Sequence, residues 1–346
     1  MTHFVDEPGT SHAGTKGIVL SRGVVLLLCL FGCALLWTSL FLARGEVNGT
    51  DFLALYAGAR LVGTGHMYDP QAIWKVQLAA IGHYGPSLLF TRIPCFALFL
   101  WPLAQLPYAV AKAIWIAFQV LTIVGAVWLW PGSRRLALVV ICWSLPLLMC
   151  LADGADTALL LFWLVLWLRL ECENRPFSAG MALALCIAKF HLFLFLPLLL
   201  FRHRRWRVMQ GAVAGICGLV ILSFIAGGWH WPTEYFHVLT TPGINPGRYH
   251  MPNLHGLMPP GVEFPAMLLT LILCSVAIFK LNYTAGLIVS LFGSLLCSYH
   301  AYVMDGVILC PAIILLIERR HSRWLSYLAG ILVTPIPWIA VLIRRP

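Results

Sequence analysis

Charge is scarce in this chain. Only 10% of its 346 residues are Asp, Glu, Lys or Arg, against about 25% in an ordinary soluble domain. With 60% of the chain hydrophobic, too little polar surface remains to keep a core of this size dissolved. Nucleotide-binding signatures are also missing. There is no G-x-x-x-x-G-K-[ST] and no G-x-G-x-x-G, which disfavours an ATP or nucleotide-sugar enzyme. A G-x-S-x-G nucleophile elbow is absent too. The 11 cysteines have neither CxxC nor metal-ligand spacing. Most lie inside apolar runs, among them Cys29, Cys33, Cys142, Cys186, Cys274 and Cys310, and read as small apolar packing residues. No cofactor and no metal is expected. No fixed-period repeat, low-complexity tract, soluble domain or linker interrupts the chain.

What the chain does have is a series of apolar runs of about 20 residues, the length of a membrane helix. The net charge of +10 is gathered in short clusters between those runs: Arg134-Arg135, the stretch 202–207, and the stretch 318–323. This is how cytoplasmic loops look when positive charge stays inside. It excludes nucleic acid as a partner in favour of membrane lipids. Residues 1–22 form a polar cytoplasmic tail. Residues 23–42 read as a retained first helix, entered after Lys16 and Arg22, with no small-x-small cleavage site before Arg44. The rest, 23–343, is one membrane domain.

Charge bookkeeping then assigns sides. The loop 43–108 lies outside and carries Asp51, Arg60, His66, Asp69, Lys75 and His83, with helical spacing over 52–62. The apolar run 93–106 has 14 residues and two prolines, Pro94 and Pro102, which is short for a crossing. If it crossed, Arg134-Arg135 would fall outside; it is therefore expected to be a juxtamembrane or re-entrant helix on the outer face. The run 109–130 crosses inward, 136–151 outward to Asp153 and Asp156, and 157–168 inward. The apolar stretch 177–201 lies between two basic clusters. It is expected to fold as a hairpin with Lys189-Phe190-His191 at its outer tip. Crossings follow at 208–226, 264–279, 283–297, 301–317 and 325–343, with a second outer loop at 227–263. The total is about 11 crossings, and Arg344-Arg345 is the one basic pair left outside.

Ionisable residues survive in membrane segments where they pair, line water or perform chemistry. Here they converge on one predicted side: Asp51, Asp69, Asp153, Asp156, Lys189, His191, His300 and Asp305. For each alone, a solvated helix end is an equal reading; for the set, a cavity facing outward is the better account. Asp51 opens a helix after Asn48-Gly49-Thr50. It suits an N-cap and equally a general base, which needs an accessible carboxylate near a hydroxyl. Lys189 and His191 suit headgroup contacts or a phosphate, with Arg60, Arg92 and Arg248 as competing phosphate ligands.

The run Asp51-Phe52, Tyr56, Ala59-Arg60, Gly65 and Tyr68-Asp69 resembles the signature of glycosyltransferase family 87. The similarity continues through Pro94, Phe96, Pro102-Leu103-Ala104, Leu106-Pro107 and Trp115. It resumes at Ala179-Gly180, Lys189, Pro197 and Arg204-Arg205-Trp206, and then at Asn253-Leu254, Gly256 and His300. The resemblance implies an all-α, GT-C-like membrane fold with juxtamembrane helices in the first outer loop. It implies transfer of a hexose, mannose above others, from a polyprenyl-phosphate donor to an acceptor hydroxyl, with inversion. The acceptor is a glycan or lipid that the sequence leaves unidentified. By position Asp51 is the implied catalytic base and Asp69 a candidate second acid or base. Lys189, Arg60, Arg92, His191 and Arg248 are candidates for the donor phosphate. Asp153, Asp156, Asn253, His255, His300 and Asp305 are candidates for the sugar and acceptor. The expected location is the inner membrane with the site facing the periplasm or exterior. Two other readings stay open: a lipid-linked sugar flippase, and an inactive assembly partner. The latter is kept in view by Gly154-Ala155, where the family often has Gly-Gln.

Overall fold

The computed structural model describes residues 21–42, 51–82, 88–241, 248–319 and 323–343. Nearly all of the expected tail, the Asn48-Gly49-Thr50 lead-in, His83 and the Arg344-Arg345 pair lie outside the described residues. Among those described, every regular element is helical. Helix α1 (Arg22–Leu42) is followed by three short helices, α2 (Asp51–Arg60), α3 (Pro70–Ile81) and α4 (Pro94–Ala104). Then come α5 (Tyr108–Leu129), the pair α6 (Arg134–Trp143) and α7 (Leu145–Asp153), and α8 (Thr157–Cys172). Helix α9 (Pro176–Ala184) runs into a 3-10 segment, Leu185–Phe193, and then α10 (Leu196–Arg202). The remainder is α11 (Trp206–Gly227), α12 (Trp231–Leu239), α13 (Leu254–Leu257), α14 (Glu263–Lys280) and α15 (Tyr283–Cys297). A 3-10 segment, Val303–Leu309, leads into α16 (Cys310–Arg319), followed by α17 (Arg323–Val333) and α18 (Ile336–Leu342).

Local chemistry sets the breaks. Ser133, Ser144 and Asn282 each accept a backbone N–H in the first turn of the next helix, satisfying donors that a helix start leaves open. Ser144 also divides α6 from α7, because Pro146 in the first turn has no N–H to continue the α6 ladder. The two halves meet at 66°. By length and composition four helices can cross a membrane, or up to six if each bent pair is one span. Their outer faces are apolar: Leu121 and Val124 on α5, Ile221 and Ile225 on α11, and Phe264, Leu269 and Leu273 on α14 are all exposed. Such faces suit hydrocarbon as solvent.

The bundle has two polar ends. At one, Tyr283 donates to Glu171 at 2.7 Å, Arg205 lies 3.9 Å from the same carboxylate, and Arg202 donates to the Phe279 carbonyl at 2.9 Å. Glu318 accepts from the Ser133 backbone N–H at 2.6 Å, beside Arg134. The basic clusters thus share this end. At the other end sit Asp51, Arg92, Asp156, Lys189 and Asp305.

Two sequence expectations concern short segments. The run 93–106 does become a short helix, α4, and it does not traverse the bundle. Its last carbonyls are held by α2: Arg60 donates to Ala104 O at 2.7 Å and Tyr56 to Leu106 O at 2.9 Å. The stretch 177–201 starts and finishes at the basic end, and its helical path breaks at Lys189, where φ is −134° and ψ is 58°. It is a hairpin, but its apex is buried in protein rather than held among headgroups, since Lys189 is 3% exposed. The first leg packs on α11 almost backbone to backbone. A Cβ on Gly180 would collide with the Val208 carbonyl, and one on Gly211 with the Phe177 carbonyl. Small residues at such crossings let membrane helices approach closely.

Candidate functional site

The site is built from four separate stretches of chain. The extended residues before α4 bring Arg92, the turn between α7 and α8 brings Asp153 and Asp156, the hairpin apex brings Lys189, and the last 3-10 segment brings Asp305. Arg92 grips Asp156 on two edges, Nε to Oδ2 at 2.6 Å and Nη2 to Oδ1 at 3.0 Å. Its remaining nitrogen, Nη1, donates to Thr91 Oγ1 at 2.9 Å and to Thr91 O at 3.2 Å. Lys189 Nζ has three acceptors for its three protons: Asp305 Oδ1 at 2.6 Å, Asp156 Oδ1 at 3.2 Å and Thr157 Oγ1 at 3.2 Å. Thr157 itself donates to Asp305 Oδ1 at 3.0 Å, and Asp305 Oδ2 accepts the Tyr302 backbone N–H at 2.9 Å. The two cations and two carboxylates balance. All four are buried, and each is paired and hydrogen-bonded, which is the condition under which buried charge is tolerated.

Asp51 stands beside this frame at the first turn of α2, half-buried. Burial lifts its pKa to about 7. Lys189 opposes that shift, Asp153 adds to it, and Arg92 and Asp305 act more weakly in opposite directions. Asp156 behaves in the reverse way. Burial works against its ionisation, but Arg92 and then Lys189 outweigh burial and hold it well below the usual carboxylate range. Two carboxyl groups at one end of the bundle are therefore driven apart in acidity. One is a fixed anion and the other a group able to exchange a proton near neutral pH. Tyr302 lies within electrostatic reach of Asp51. Rings continue the wall: His300 meets Tyr302 at 5.2 Å between centroids and His191 at 6.1 Å. His191 Nε2 is buried without a hydrogen-bond partner among the described residues.

Other candidate residues lie apart from this frame. Asp69 caps α3, accepting from the Gln71 N–H at 2.9 Å, and lies 3.8 Å from His66 with 43% of its side chain exposed. Arg60 closes the end of α4, as described. Arg248 binds Glu263 at 2.7 Å and the His255 and Met258 carbonyls, and His255 Nδ1 shares the same Glu263 oxygen at 3.0 Å. Asn253 is fully buried. It donates to Ser298 O at 2.8 Å and accepts from Gly256 N–H at 2.8 Å, so its amide ties the second loop to the His300 strand of chain. Sequence reasoning passed over Thr91, Thr157 and Tyr302 as site residues and named Trp115 only as a point of family resemblance. Thr157 carried a signal, being a hydroxyl directly after Asp156; the others are visible only in three dimensions. Among the described residues no group of three or more His, Cys, Asp or Glu is placed to hold a metal ion.

The comparisons with known proteins bear on the whole chain. No curated protein and no solved structure matches it. The model of glycosyltransferase family 87 matches residues 90–299, which takes in Arg92, Asp153, Asp156, Lys189 and His191 and leaves Asp51 and Asp305 outside. That stretch is more than half of the sequence, and with its apolar, all-helical build the chain belongs to glycosyltransferase family 87 as a membrane protein.

Proposed function

We propose that this glycosyltransferase moves a hexose, mannose by resemblance, from a polyprenyl-phosphate donor to an acceptor hydroxyl at the outer face of the membrane. The observation that carries the reading is Asp51: a half-buried carboxyl whose pKa of about 7 suits a general base, set against a frame of paired charges. In the reaction the acceptor O–H gives its proton to Asp51 as the oxygen attacks the anomeric carbon. The bond from that carbon to the donor phosphate breaks, and a single displacement inverts the centre.

Negative charge grows on the departing phosphate. Arg92 and Lys189 are full cations within electrostatic reach of Asp51, and both are already engaged by carboxylates. Exchange of one carboxylate contact for a phosphate oxygen keeps the cation paired, so the frame supplies field without exposing bare charge. His191, whose Nε2 has no partner among the described residues, is a further candidate on that side. Arg60 and Arg248, engaged elsewhere, have structural work and are not assigned to the donor.

The charge distribution supports an outer-face site. The basic clusters lie at the opposite end, which the positive-inside rule places in the cytoplasm of the inner membrane. Taking α6 with α7 and α17 with α18 as single bent spans, and adding α1, α5, α8, the two hairpin legs, α11, α14, α15 and α16, gives about 11 crossings. The test is transfer of radiolabelled sugar from a polyprenyl-phosphate donor in membranes holding the protein. Asp51→Asn is expected to abolish transfer while leaving the protein folded. A folded Asp51→Asn variant with full activity refutes the assignment.

A further inference from the structure

Asp51 and the turn that carries Asp153 and Asp156 come from different parts of the chain, and one indole touches that turn and the residue next to Asp51. Trp115, on α5, is fully buried. Its Nε1–H donates at 2.8 Å to the carbonyl of Gly154, which lies within that turn. Its ring stacks on Phe52 with centroids 5.8 Å apart and planes 20° apart, and Phe52 is the residue next to Asp51. The two contacted residues also touch one another. Gly154 has φ of +72°, and a Cβ built on it would fall 2.7 Å from the Phe52 Cβ. One turn further along α5, Gln119 donates to the Ala155 carbonyl at 2.6 Å. That amide is buried and its Oε1 has no partner among the described residues. The side chain is therefore held for one bond only, a costly arrangement unless that bond fixes something.

We infer that Trp115, assisted by Gln119, is a positioning residue that sets Asp51 in register with the Asp153–Asp156 turn. It touches no substrate in this account; it acts through Phe52 on one side and Gly154 on the other. The groups facing Asp51 across that register are Lys189 at the hairpin apex, Arg92 before α4, Asp153 at the end of α7, and Asp305 and Tyr302 on the last 3-10 stretch. A sub-ångström shift of α2 relative to the turn changes all of these separations together.

The inference rests on the proposed transferase reaction. Its test is a kinetic comparison of wild type with Trp115→Phe, Phe52→Leu and the double variant, using polyprenyl-phosphate hexose and purified folded protein. Trp115→Phe keeps an aromatic face for Phe52 but loses the N–H. Misplacement of a reacting group by about 1 Å costs on the order of 10²-fold, so kcat should fall about 10- to 100-fold with donor KM held within about twofold. Because both single variants break one bridge, the double variant should lose little more than the worse single. Gln119→Leu should lower kcat in the same manner. Trp128→Phe, on the exposed face of the same helix, should match wild type. Losses that track only the amount of folded protein, or that multiply in the double variant, overturn the positioning role. Wild-type transfer that Asp51→Asn abolishes and Trp115→Phe leaves intact overturns it alone. A wild-type protein that transfers no sugar overturns the functional reading, and this role falls with it.

Discussion

Asp156→Asn tests the ion frame most directly. The substitution keeps the shape of the side chain and removes its charge. Arg92 then loses the carboxylate it holds at 2.6 and 3.0 Å, and Lys189 loses its contact at 3.2 Å. An amide offers one oxygen, and its NH2 must face a donor from one of the two cations. Both cations remain buried, at 7% and 3% exposure. Removing one partner of a buried pair destabilises by about 3–5 kcal/mol. With an unfolding entropy of about 2.1 cal/mol/K per residue, a 346-residue chain melts about 1.4 °C lower per kcal/mol, so the melting temperature should drop by about 4–7 °C. Tryptophan fluorescence of detergent-purified protein follows this readily, since the chain holds 14 tryptophans. Replacing Arg92 by Met and Asp156 by Leu together removes both charges. This double variant should recover most of the loss, because a matched apolar pair carries no desolvation penalty. An Asp156→Asn protein melting within about 1 °C of wild type, or a double variant no more stable than the sum of its singles, refutes the account of a closed, mutually dependent frame.

Three further outcomes are expected. A base with pKa of about 7 works only when ionised, so kcat/KM should fall about tenfold per unit as pH drops below about 7 and level off above it; a kcat/KM profile flat from pH 5 to 8 contradicts this. The same raised value means the folded protein holds the proton more tightly than the unfolded chain does. This group's contribution to stability is thus present at low pH and lost as pH rises through about 7. Gly180→Val puts a side chain into the Val208 carbonyl and should abolish a folded product on size-exclusion chromatography, whereas Gly218→Ala, whose Cβ meets open space, should not. Arg60→Ala removes the cap on α4 and should lower stability by about 1 kcal/mol with donor KM unchanged; a large rise in donor KM would return Arg60 to the phosphate.

Much of the architecture was legible because membrane chemistry leaves few options. Apolar length, proline and the placement of basic clusters suffice to find α4 as a short helix and to fold 177–201 back on itself. The break at Lys189 was legible for the same reason, as an ammonium in the middle of an apolar run. What that ammonium does was not. Lys189 meets Asp305 across 116 residues of sequence and Arg92 meets Asp156 across 64. Periodicity and spacing report only on neighbours along a helix or strand. Spacing alone therefore offers Arg92 and Lys189 as candidate phosphate ligands without showing that each already holds a carboxylate. Asp69, Asn253 and Arg248 illustrate the converse: polar residues near the right end of the bundle that serve as a helix cap, a loop tie and an ion pair. Trp115 is the hardest to foresee, since a tryptophan in an apolar helix looks like core until its indole N–H is seen to reach a carbonyl.

The buried apex of the hairpin has a consequence for biosynthesis. Lys189 cannot wait alone in hydrocarbon, where a lone charge costs roughly 3 kcal/mol or more. Asp156 and Thr157 precede it along the chain and are already in the membrane when the hairpin emerges. Asp305 arrives 116 residues later. The nascent hairpin therefore docks first on α8 with a single counter-ion, and the late segment from Val303 to Leu309 completes the charge balance. Chain order sets the order in which the charges can be balanced, and a protein truncated before that segment is left with Asp156 alone to balance both Arg92 and Lys189.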